Sequence, residues 1–274
     1  MTSSVHDVAI IGAGPVGAAL AAHLAKRGLS VVVLERDVDV YPLPRAGHLD
    51  AETLRNLREI GAWSDAPGWS IVNEGMDFVN GDGQLLLRMT VVDSPDHTAP
   101  KSNLFHQPSL DRLIRERAVH HGATLLLGHE VVSVSEDPDV VKLTARDLGG
   151  CDVEIAASWV VGCCGARSFL RRHMNTSQID LQFDEPWLVV DVIVNDPEVP
   201  SPTRTVQVGD PRRPSTIVPM PAPRRRFEFM LLPGETVDDV NQSEKIAEWM
   251  SLYLDPAAVT IERSAVYTFH GLIA

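Results

Sequence analysis

The first 35 residues carry short apolar runs on either side of a helical pattern of small residues. The run DVAII (residues 7–11) leads into the glycine turn GAGPVG, the helical segment AALAAHLAKRG and a second apolar run, LSVVVLE. Short runs rich in valine and isoleucine are typical of strands that are buried on both faces. The basic residues and the glycine after the helical segment mark its end. This order predicts a βαβ unit and therefore an α/β fold.

Three later segments have apolar residues at helical spacing, namely 50–62, 107–123 and roughly 240–253. Turn residues such as NGDG interrupt the alternating segment 69–105, which predicts a β-hairpin region. Beyond Arg172, apolar strand patterns are separated by proline-rich turns. The kinds of element that the sequence predicts therefore change after about residue 172.

This change predicts two domains. The first is a Rossmann-like nucleotide-binding domain over residues 1–180, with the hairpin region at about 69–105 inserted in it. The second is a β-sheet-rich domain over residues 181–274.

Composition narrows the classes of function. The chain of 274 residues is 44% hydrophobic and 22% charged, and its formal net charge is −13. An acidic protein lacks the basic face that nucleic-acid binders need, so we predict no nucleic-acid partner. No apolar run reaches the roughly 20 residues of a membrane span, and no secretory signal opens the chain. We therefore expect a cytoplasmic protein without a membrane partner.

The segment VVGCCGARSFLR places two of the three cysteines, Cys163 and Cys164, side by side after an apolar strand pattern. An odd number of cysteines without framework spacing does not suit a disulfide scaffold. A tetrahedral metal site would need a second Cys/His pair at suitable spacing, so we predict no metal.

The glycine turn has the dinucleotide-binding pattern GxGxxG. In this pattern Gly12 permits the tight turn, Gly14 lets the backbone approach a pyrophosphate, and Gly17 lets helix and strand pack closely. The intervening residues, Ala13, Pro15 and Val16, open the helix, whose N-terminus presents free N–H groups to the phosphates. A purely structural glycine turn is the alternative.

Glu35 ends the second apolar run, where a carboxylate can accept both hydroxyls of an adenosine ribose. A carboxylate there also argues against a 2′-phosphate, although Arg36 follows directly. We therefore predict a dinucleotide site that includes both residues.

Other segments make the chain resemble a known family. The order of elements differs from that of an NAD dehydrogenase, and the segments YPLPRAGHLDAETLRNLREIGA, FHQPSLDRLI, SWVVGCCGARSFLRR and RRFEFMLLPGET join the glycine turn in this likeness. The sequence resembles the FAD-dependent aromatic hydroxylases, the single-component flavoprotein monooxygenases. Within them it is similar to 3-(3-hydroxyphenyl)propionate hydroxylases and polyketide hydroxylases. The resemblance implies a Rossmann-like FAD-binding domain followed by a β-sheet-rich substrate domain.

The resemblance also assigns FAD contacts by position. The glycine turn and Glu35 would hold the ADP half. Arg45 and Gln107 would contact the ribityl and phosphate portion, Arg112 would assist them, and the backbone at Val131 would lie against the adenine. The alternatives are a solvated loop charge at Arg45, a helix N-cap at Gln107 and an ordinary surface arginine at Arg112.

The segment around the two cysteines resembles a family motif, Asp-Gly-x-x-Ser-x-x-Arg. Gly165, Ser168 and Arg171 match it, while Cys164 stands where the family has an aspartate. We interpret the cysteine as a substitution within a flavin site that also includes Gly165. A thiol at the end of a buried strand is expected to be a neutral, small apolar group.

The resemblance implies a monooxygenase that uses FAD, O₂ and either NADH or NADPH to hydroxylate a small phenolic or aromatic substrate through a flavin hydroperoxide. The flavin carries the difficult step, so no residue is assigned as catalytic. His48, His106 and His270 are weak candidates for a general base. Family members continue past VYTFH into a Gly-Asp flavin motif, before which this chain would end. A truncated, non-catalytic FAD-binding subunit is therefore the alternative function, and a homodimer or partner chain is expected.

Overall fold

The structure is a computed structural model. It describes residues 5–64, 68–92, 102–166, 168–174 and 176–273. Part of the predicted hairpin region, residues 93–101, lies outside the described residues.

The strands of this structure, in chain order, are β1 His6–Ile11, β2 Val31–Glu35, β3 His48–Asp50, β4 Ser70–Val72, β5 Gly75–Asn80, β6 Leu85–Thr90, β7 Ser102–Phe105, β8 Thr124–Leu127, β9 Glu130–Glu136, β10 Val141–Arg146, β11 Asp152–Gly162, β12 Ile179–Val194, β13 Thr205–Gly209, β14 Ser215–Pro219, β15 Arg224–Met230 and β16 Val259–Ile273. The helices are α1 Pro15–Lys26, α2 Ala51–Glu59, α3 Gln107–His120, α4 Phe169–His173, α5 Val237–Val240 and α6 Ser243–Met250, and a 3₁₀ turn spans Pro256–Ala258.

A six-stranded sheet contains the predicted βαβ unit, in the order β8-β2-β1-β11-β10-β9. Strand β1 pairs in parallel with β2 on one side and with β11 on the other. Helix α1 connects β1 to β2, and four of its alanines are at most 6% exposed: Ala18, Ala21, Ala22 and Ala25. Small side chains on this face let the helix lie close to the sheet.

A seven-stranded sheet has the order β16-β12-β15-β14-β13-β5-β6. The strands β5 and β6, from the predicted hairpin region, join its edge because β5 pairs in parallel with β13. One face of the sheet packs against α6, where Phe227 and Phe229 form a buried cluster with Trp249 and Met250. A three-stranded sheet has the order β3-β7-β4.

The chain divides into two compact units by its internal contacts. The first comprises residues 1–44, 52–65 and 107–177, and the second comprises 45–51, 66–106 and 178–274. The predicted α/β fold with a second, sheet-rich part is confirmed by this architecture and by the solved structures described below. The domain limits at 180 and 181, the cytoplasmic location and the dimer stay predictions. Among the described helices, none is long and apolar enough to cross a membrane.

The predicted helix at 240–253 is two helices in the structure. Thr236 caps α5 with a reciprocal pair of hydrogen bonds to Asp239, and α5 ends at Val240. Helix α6 starts anew at Ser243, with extended backbone at Gln242 before it. A single helical pattern over these residues therefore missed a capping motif that starts the first helix earlier.

Candidate functional site

The glycine turn lies directly after β1, and backbone contacts dictate two of its glycines. Gly12 has a φ of +105°, and a Cβ there would lie 2.4 Å from the carbonyl oxygen of Cys163. A Cβ on Gly17 would lie 2.0 Å from the carbonyl oxygen of Gly12. Since backbone atoms cannot yield as a flexible side chain does, both positions require glycine.

Gly14 differs from these two because a Cβ there would meet nothing within 4 Å. It is the N-cap of α1, without a side-chain cap, and the first turn of the helix contains no acidic residue. Pro15 occupies the first turn, and Val16 is 70% exposed. An uncapped helix N-terminus beside open space is suited to an anion, since its N–H groups and dipole favour negative charge.

The carboxylate of Glu35 lies against the same turn. One oxygen accepts a hydrogen bond from the backbone N–H of Ala13 at 2.7 Å, and the other accepts from the N–H of Asp37 at 3.0 Å. Each carboxylate oxygen retains a lone pair for a hydroxyl donor. The Arg36 side chain is 69% exposed, and its Nε lies 3.9 Å from the carboxylate of Asp37.

Sequence reasoning missed Arg115 on α3. Its Nε donates to the carbonyl oxygen of Ala13 at 2.8 Å, and its Nη2 lies 3.9 Å from Glu35. Its Nη1 is buried and has no hydrogen-bond partner within the described part of the chain. Arg112, the predicted residue, is half exposed and 3.9 Å from Asp39. Helical periodicity could have found Arg115, because it lies four residues after the buried Asp111 and therefore on the same face of α3.

Three other predicted residues lie on other elements of the chain. Gln107 begins α3, is 5% exposed, and donates to the carboxylate of Asp111 at 3.2 Å. The side chain of Val131, on β9, packs in the core of the first unit. Arg45 is an exposed residue of the second unit.

The double cysteine lies beside the glycine turn. Ile11 is in register with Gly162 on the parallel strand β11, and the N–H of Cys163 donates to the carbonyl oxygen of Ile11 at 2.8 Å. Gly165 follows with a φ of +73°. The carboxyl ends of β2, β1 and β11 therefore gather Glu35, the glycine turn and the cysteines at one edge of the sheet, where ligands of open α/β sheets bind.

Cys164 packs against the core of the first unit, as expected, but its thiol is also a hydrogen-bonding group. Its Sγ lies 3.2 Å from the hydroxyl oxygen of Ser168. Burial acts to raise the pKa of this thiol, but hydrogen bonds from Ser168 and from the N–H groups of Leu170 and Phe169 together lower it. Burial and the neighbouring Cys164 raise the pKa of the Cys163 thiol. These groups favour the thiolate form of Cys164, at the position where the resemblance implies an aspartate.

We expect iodoacetamide to alkylate Cys164 faster than Cys163 near neutral pH. The thiolate is the nucleophile, and a lowered pKa makes it available at lower pH. Site-resolved mass spectrometry measures both rates across pH in one sample. Replacing Ser168 with alanine is expected to slow the alkylation of Cys164 without slowing that of Cys163, because a less ionised Cys164 repels the Cys163 thiolate less. Equal rates for the two thiols at every pH would contradict this account.

The second unit has an open cavity of about 570 Å³ on its surface. Its apolar wall includes Met76, Met89, Leu104 and Val218. The polar lining residues come from several strands and one loop: His48, Asn73, Thr90, Ser102, Thr205, Gln207, Thr216, Arg226 and Glu228. Most of the exposed lining area is nevertheless apolar, and an apolar surface with polar groups at fixed positions suits a small aromatic molecule.

A buried ion cluster lies beneath this cavity. Asp191 on β12 accepts from Nε and Nη2 of Arg226 at 2.7 and 3.2 Å, and its second oxygen lies 3.3 Å from Arg263. These side chains are at most 5% exposed. Arg226 also contacts the carbonyl oxygen of Arg45 at 3.5 Å, so the cluster reaches the chain segment that carries Arg45.

A comparison with known protein families assigns the chain to one of them. The sequence profile described as "FAD binding domain" matches residues 5–262. The chain belongs to the FAD binding domain family. The resemblance to FAD-dependent aromatic hydroxylases is confirmed. The location of the glycine turn at the carboxyl ends of β1, β2 and β11 accords with membership of this family.

Curated relatives of this FAD binding domain protein are named as aromatic hydroxylases. One, from Rhodococcus jostii, is named a probable NADH-specific resorcinol 4-hydroxylase; it is 35% identical over 97% of this chain and 51% of its own length. Another, from Comamonas testosteroni, is named a 3-(3-hydroxy-phenyl)propionate/3-hydroxycinnamic acid hydroxylase; it is 33% identical over 98% of this chain and 45% of its own. The chain spans about half the length of the curated relatives it matches.

Solved structures share the fold of this FAD binding domain protein. The p-nitrophenol 4-monooxygenase of Pseudomonas putida superposes with a TM-score of 0.87 at 23% identity, over 98% of this chain and 69% of that one. An aklavinone-11 hydroxylase, solved with FAD and aklavinone, gives a TM-score of 0.83 at 20% identity, over 100% of this chain and 55% of that one. At such identities the likeness establishes the fold.

Proposed function

We propose that the chain binds FAD at the carboxyl ends of β1, β2 and β11. The observation that carries this proposal is the open space at Gly14, between an uncapped helix N-terminus and the carboxylate of Glu35. The pyrophosphate would lie against the turn Gly12–Gly17, and Glu35 would accept the ribose hydroxyls. The buried Nη1 of Arg115 supplies a further donor for the bound nucleotide.

The remaining predicted contacts are part of the same proposal. The second turn, at Cys164 and Gly165, lies beside the glycine turn and would border the pyrophosphate. Arg36 is retained from the dinucleotide pattern. The resemblance supports further FAD contacts at Arg45, Gln107, Arg112 and Val131.

We propose that the protein takes part in the hydroxylation of a small phenolic substrate with NADH or NADPH and O₂. Bound FAD would supply the electron transfer and oxygen activation that side chains cannot supply. The residues of this chain bind the nucleotide, orient the aromatic ring in the second unit's cavity and keep water from it. The apolar wall at Met76, Met89, Leu104 and Val218 and the names of the relatives support this substrate class.

A second function, a non-catalytic FAD-binding subunit, is favoured by Cys164 standing where the family has an aspartate. Reduction of the bound flavin by NADH or NADPH distinguishes the two. A flavin that is retained but never bleached under anaerobic conditions would support the second function and contradict the first.

Replacing Glu35 with glutamine tests the nucleotide site. We expect the Kd for FAD to rise by about tenfold or more, because a charged acceptor of hydrogen bonds contributes roughly 1.5–3 kcal/mol. Flavin fluorescence on titration measures the Kd. Glu116→Gln, on the exposed face of α3, is the matched control and should leave the Kd unchanged. An unchanged Kd in both variants would remove Glu35 from the site.

A further inference from the structure

Strand β15 presents two kinds of side chain on its two faces. Phe227 and Phe229 are at most 1% exposed and pack in the cluster against α6. Arg226 and Glu228 alternate with them and line the cavity on the other face. Strand β15 is therefore apolar on one face only. On its other face it directs two charged groups at a cavity whose exposed lining is mostly apolar.

Glu228 belongs to a polar row that crosses three neighbouring strands. It is in register with Thr216 on β14, which is in register with Gln207 on β13. The Thr216 hydroxyl donates to the amide oxygen of Gln207 at 2.9 Å, and the Gln207 amide donates to the carbonyl oxygen of Ser215 at 3.2 Å. Two members of the row thus satisfy each other, while the carboxylate at its end does not share in these bonds.

The surroundings of Glu228 leave its charge poorly compensated. The side chain is 22% exposed, and the nearest cation, Nη1 of Arg226, lies 4.0 Å from Oε1. Arg226 is already held by Asp191 at 2.7 Å. Within the described residues, no side chain donates a hydrogen bond to the Glu228 carboxylate. Its two oxygens are the strongest acceptors on the cavity wall.

Burial raises the pKa of Glu228, attraction to Arg226 and Arg263 opposes the rise, and repulsion by Asp191 adds to it. The carboxylate is therefore costly to keep charged without a donor. A ligand that brings an O–H group into the cavity would relieve this cost. A ligand that brings a second carboxylate to the same place would increase it.

We propose that Glu228 binds a hydroxyl group of the aromatic ligand, by accepting its hydrogen bond at the end of the polar row. The proposal rests on the proposed function, and it names the ligand class: a ring with a neutral phenolic hydroxyl at this end. Glu228 is a specificity-determining residue on this account, because it selects phenols over their methyl ethers and over carboxylates.

Calorimetric titration of the FAD-loaded protein with resorcinol and with 1,3-dimethoxybenzene tests the proposal. We expect resorcinol to bind at least about tenfold more tightly than its dimethyl ether, since a hydrogen bond to a charged group gives this discrimination. Glu228→Gln should remove most of this difference in affinity, because it should weaken the binding of resorcinol but not that of the dimethyl ether. Glu198→Gln makes the same change of charge at an exposed position of the second unit and should preserve the difference.

The pH dependence of resorcinol binding provides a second, independent test. Because the ionised carboxylate is the better acceptor, resorcinol binding should strengthen as pH rises through the raised pKa of Glu228, below the phenol's own pKa of about 10. The charged groups facing Glu228 are Arg226, Arg263 and Asp191, and His48 is another titratable group on the cavity wall. The dependence should persist in His48→Asn and vanish in Glu228→Gln.

The outcomes separate this inference from the proposed function. If the unmodified protein does not bind FAD, the proposed function is overturned, whatever the measured affinity for resorcinol. Normal FAD binding with equal resorcinol affinity in the unmodified protein and Glu228→Gln would overturn only the role of Glu228. Tighter binding of the dimethyl ether than of resorcinol would overturn it as well.

Discussion

Replacing Gly17 with alanine is expected to lower the free energy of unfolding of the first unit by about 3 kcal/mol, at the upper end of the range for overpacking. The added Cβ would lie 2.0 Å from the carbonyl oxygen of Gly12 and 3.0 Å from the Cβ of Cys163. Helix α1 would have to move away from the turn to admit it. Chemical denaturation followed by circular dichroism measures the change.

Gly14→Ala is the matched control within the same turn. A Cβ at Gly14 meets nothing within 4 Å, and its φ of −67° suits any residue. The free energy of unfolding should therefore change by only about 0.5 kcal/mol, as for an N-cap exchange or a surface site. Equal losses in the two variants would show that the two glycines do not have separate structural and ligand-approach roles.

Replacing Asp191 with alanine is expected to destabilise the second unit by about 3–5 kcal/mol, because it leaves two buried cations without their anion. Asp191 is 2% exposed, and it accepts from Arg226 while lying 3.3 Å from Arg263. The loss should appear in thermal or chemical unfolding of the ligand-free protein.

The Asp77–Arg88 pair provides the control for Asp191. Its geometry is also bidentate, at 2.8 and 2.7 Å, but the Arg88 side chain is 50% exposed. The Arg88 hydrogen bond lowers the pKa of Asp77, yet water screens such a pair, so Asp77→Ala should cost far less than Asp191→Ala. Similar losses in both variants would mean that burial does not set the strength of the Asp191 cluster.

Local patterns predicted the elements around the glycine turn well. The strand, glycine turn, helix and second strand of the βαβ unit are neighbours in sequence, and the residues Gly12, Gly17 and Glu35 follow from their spacing alone. The adjacency of Cys163 to Gly12 did not follow from spacing. It depends on the parallel pairing of β1 with β11, which joins segments about 150 residues apart.

Pairings between distant segments explain the other omissions. Strand β5 pairs in parallel with β13, so part of the predicted insertion completes a sheet with residues beyond 200. Asp191, Arg226 and Arg263 come from three strands whose register brings their charges together. In the sequence, Arg226 lies in a run of three arginines typical of a solvated surface. Its burial, and the position of Glu228 on the cavity wall, become visible only once the strands are paired in the structure.

Binding of FAD at the glycine turn is the central proposal for this protein. The most direct test is to load the purified protein and its Gly14→Ala variant with FAD, remove the excess and record the visible absorbance spectrum. We expect flavin bands near one equivalent in the unmodified protein. We expect a large loss in Gly14→Ala, in which the fold should be retained but the added Cβ would occupy the phosphate approach. No retained flavin in the unmodified protein, or equal retention in both, would contradict the proposal.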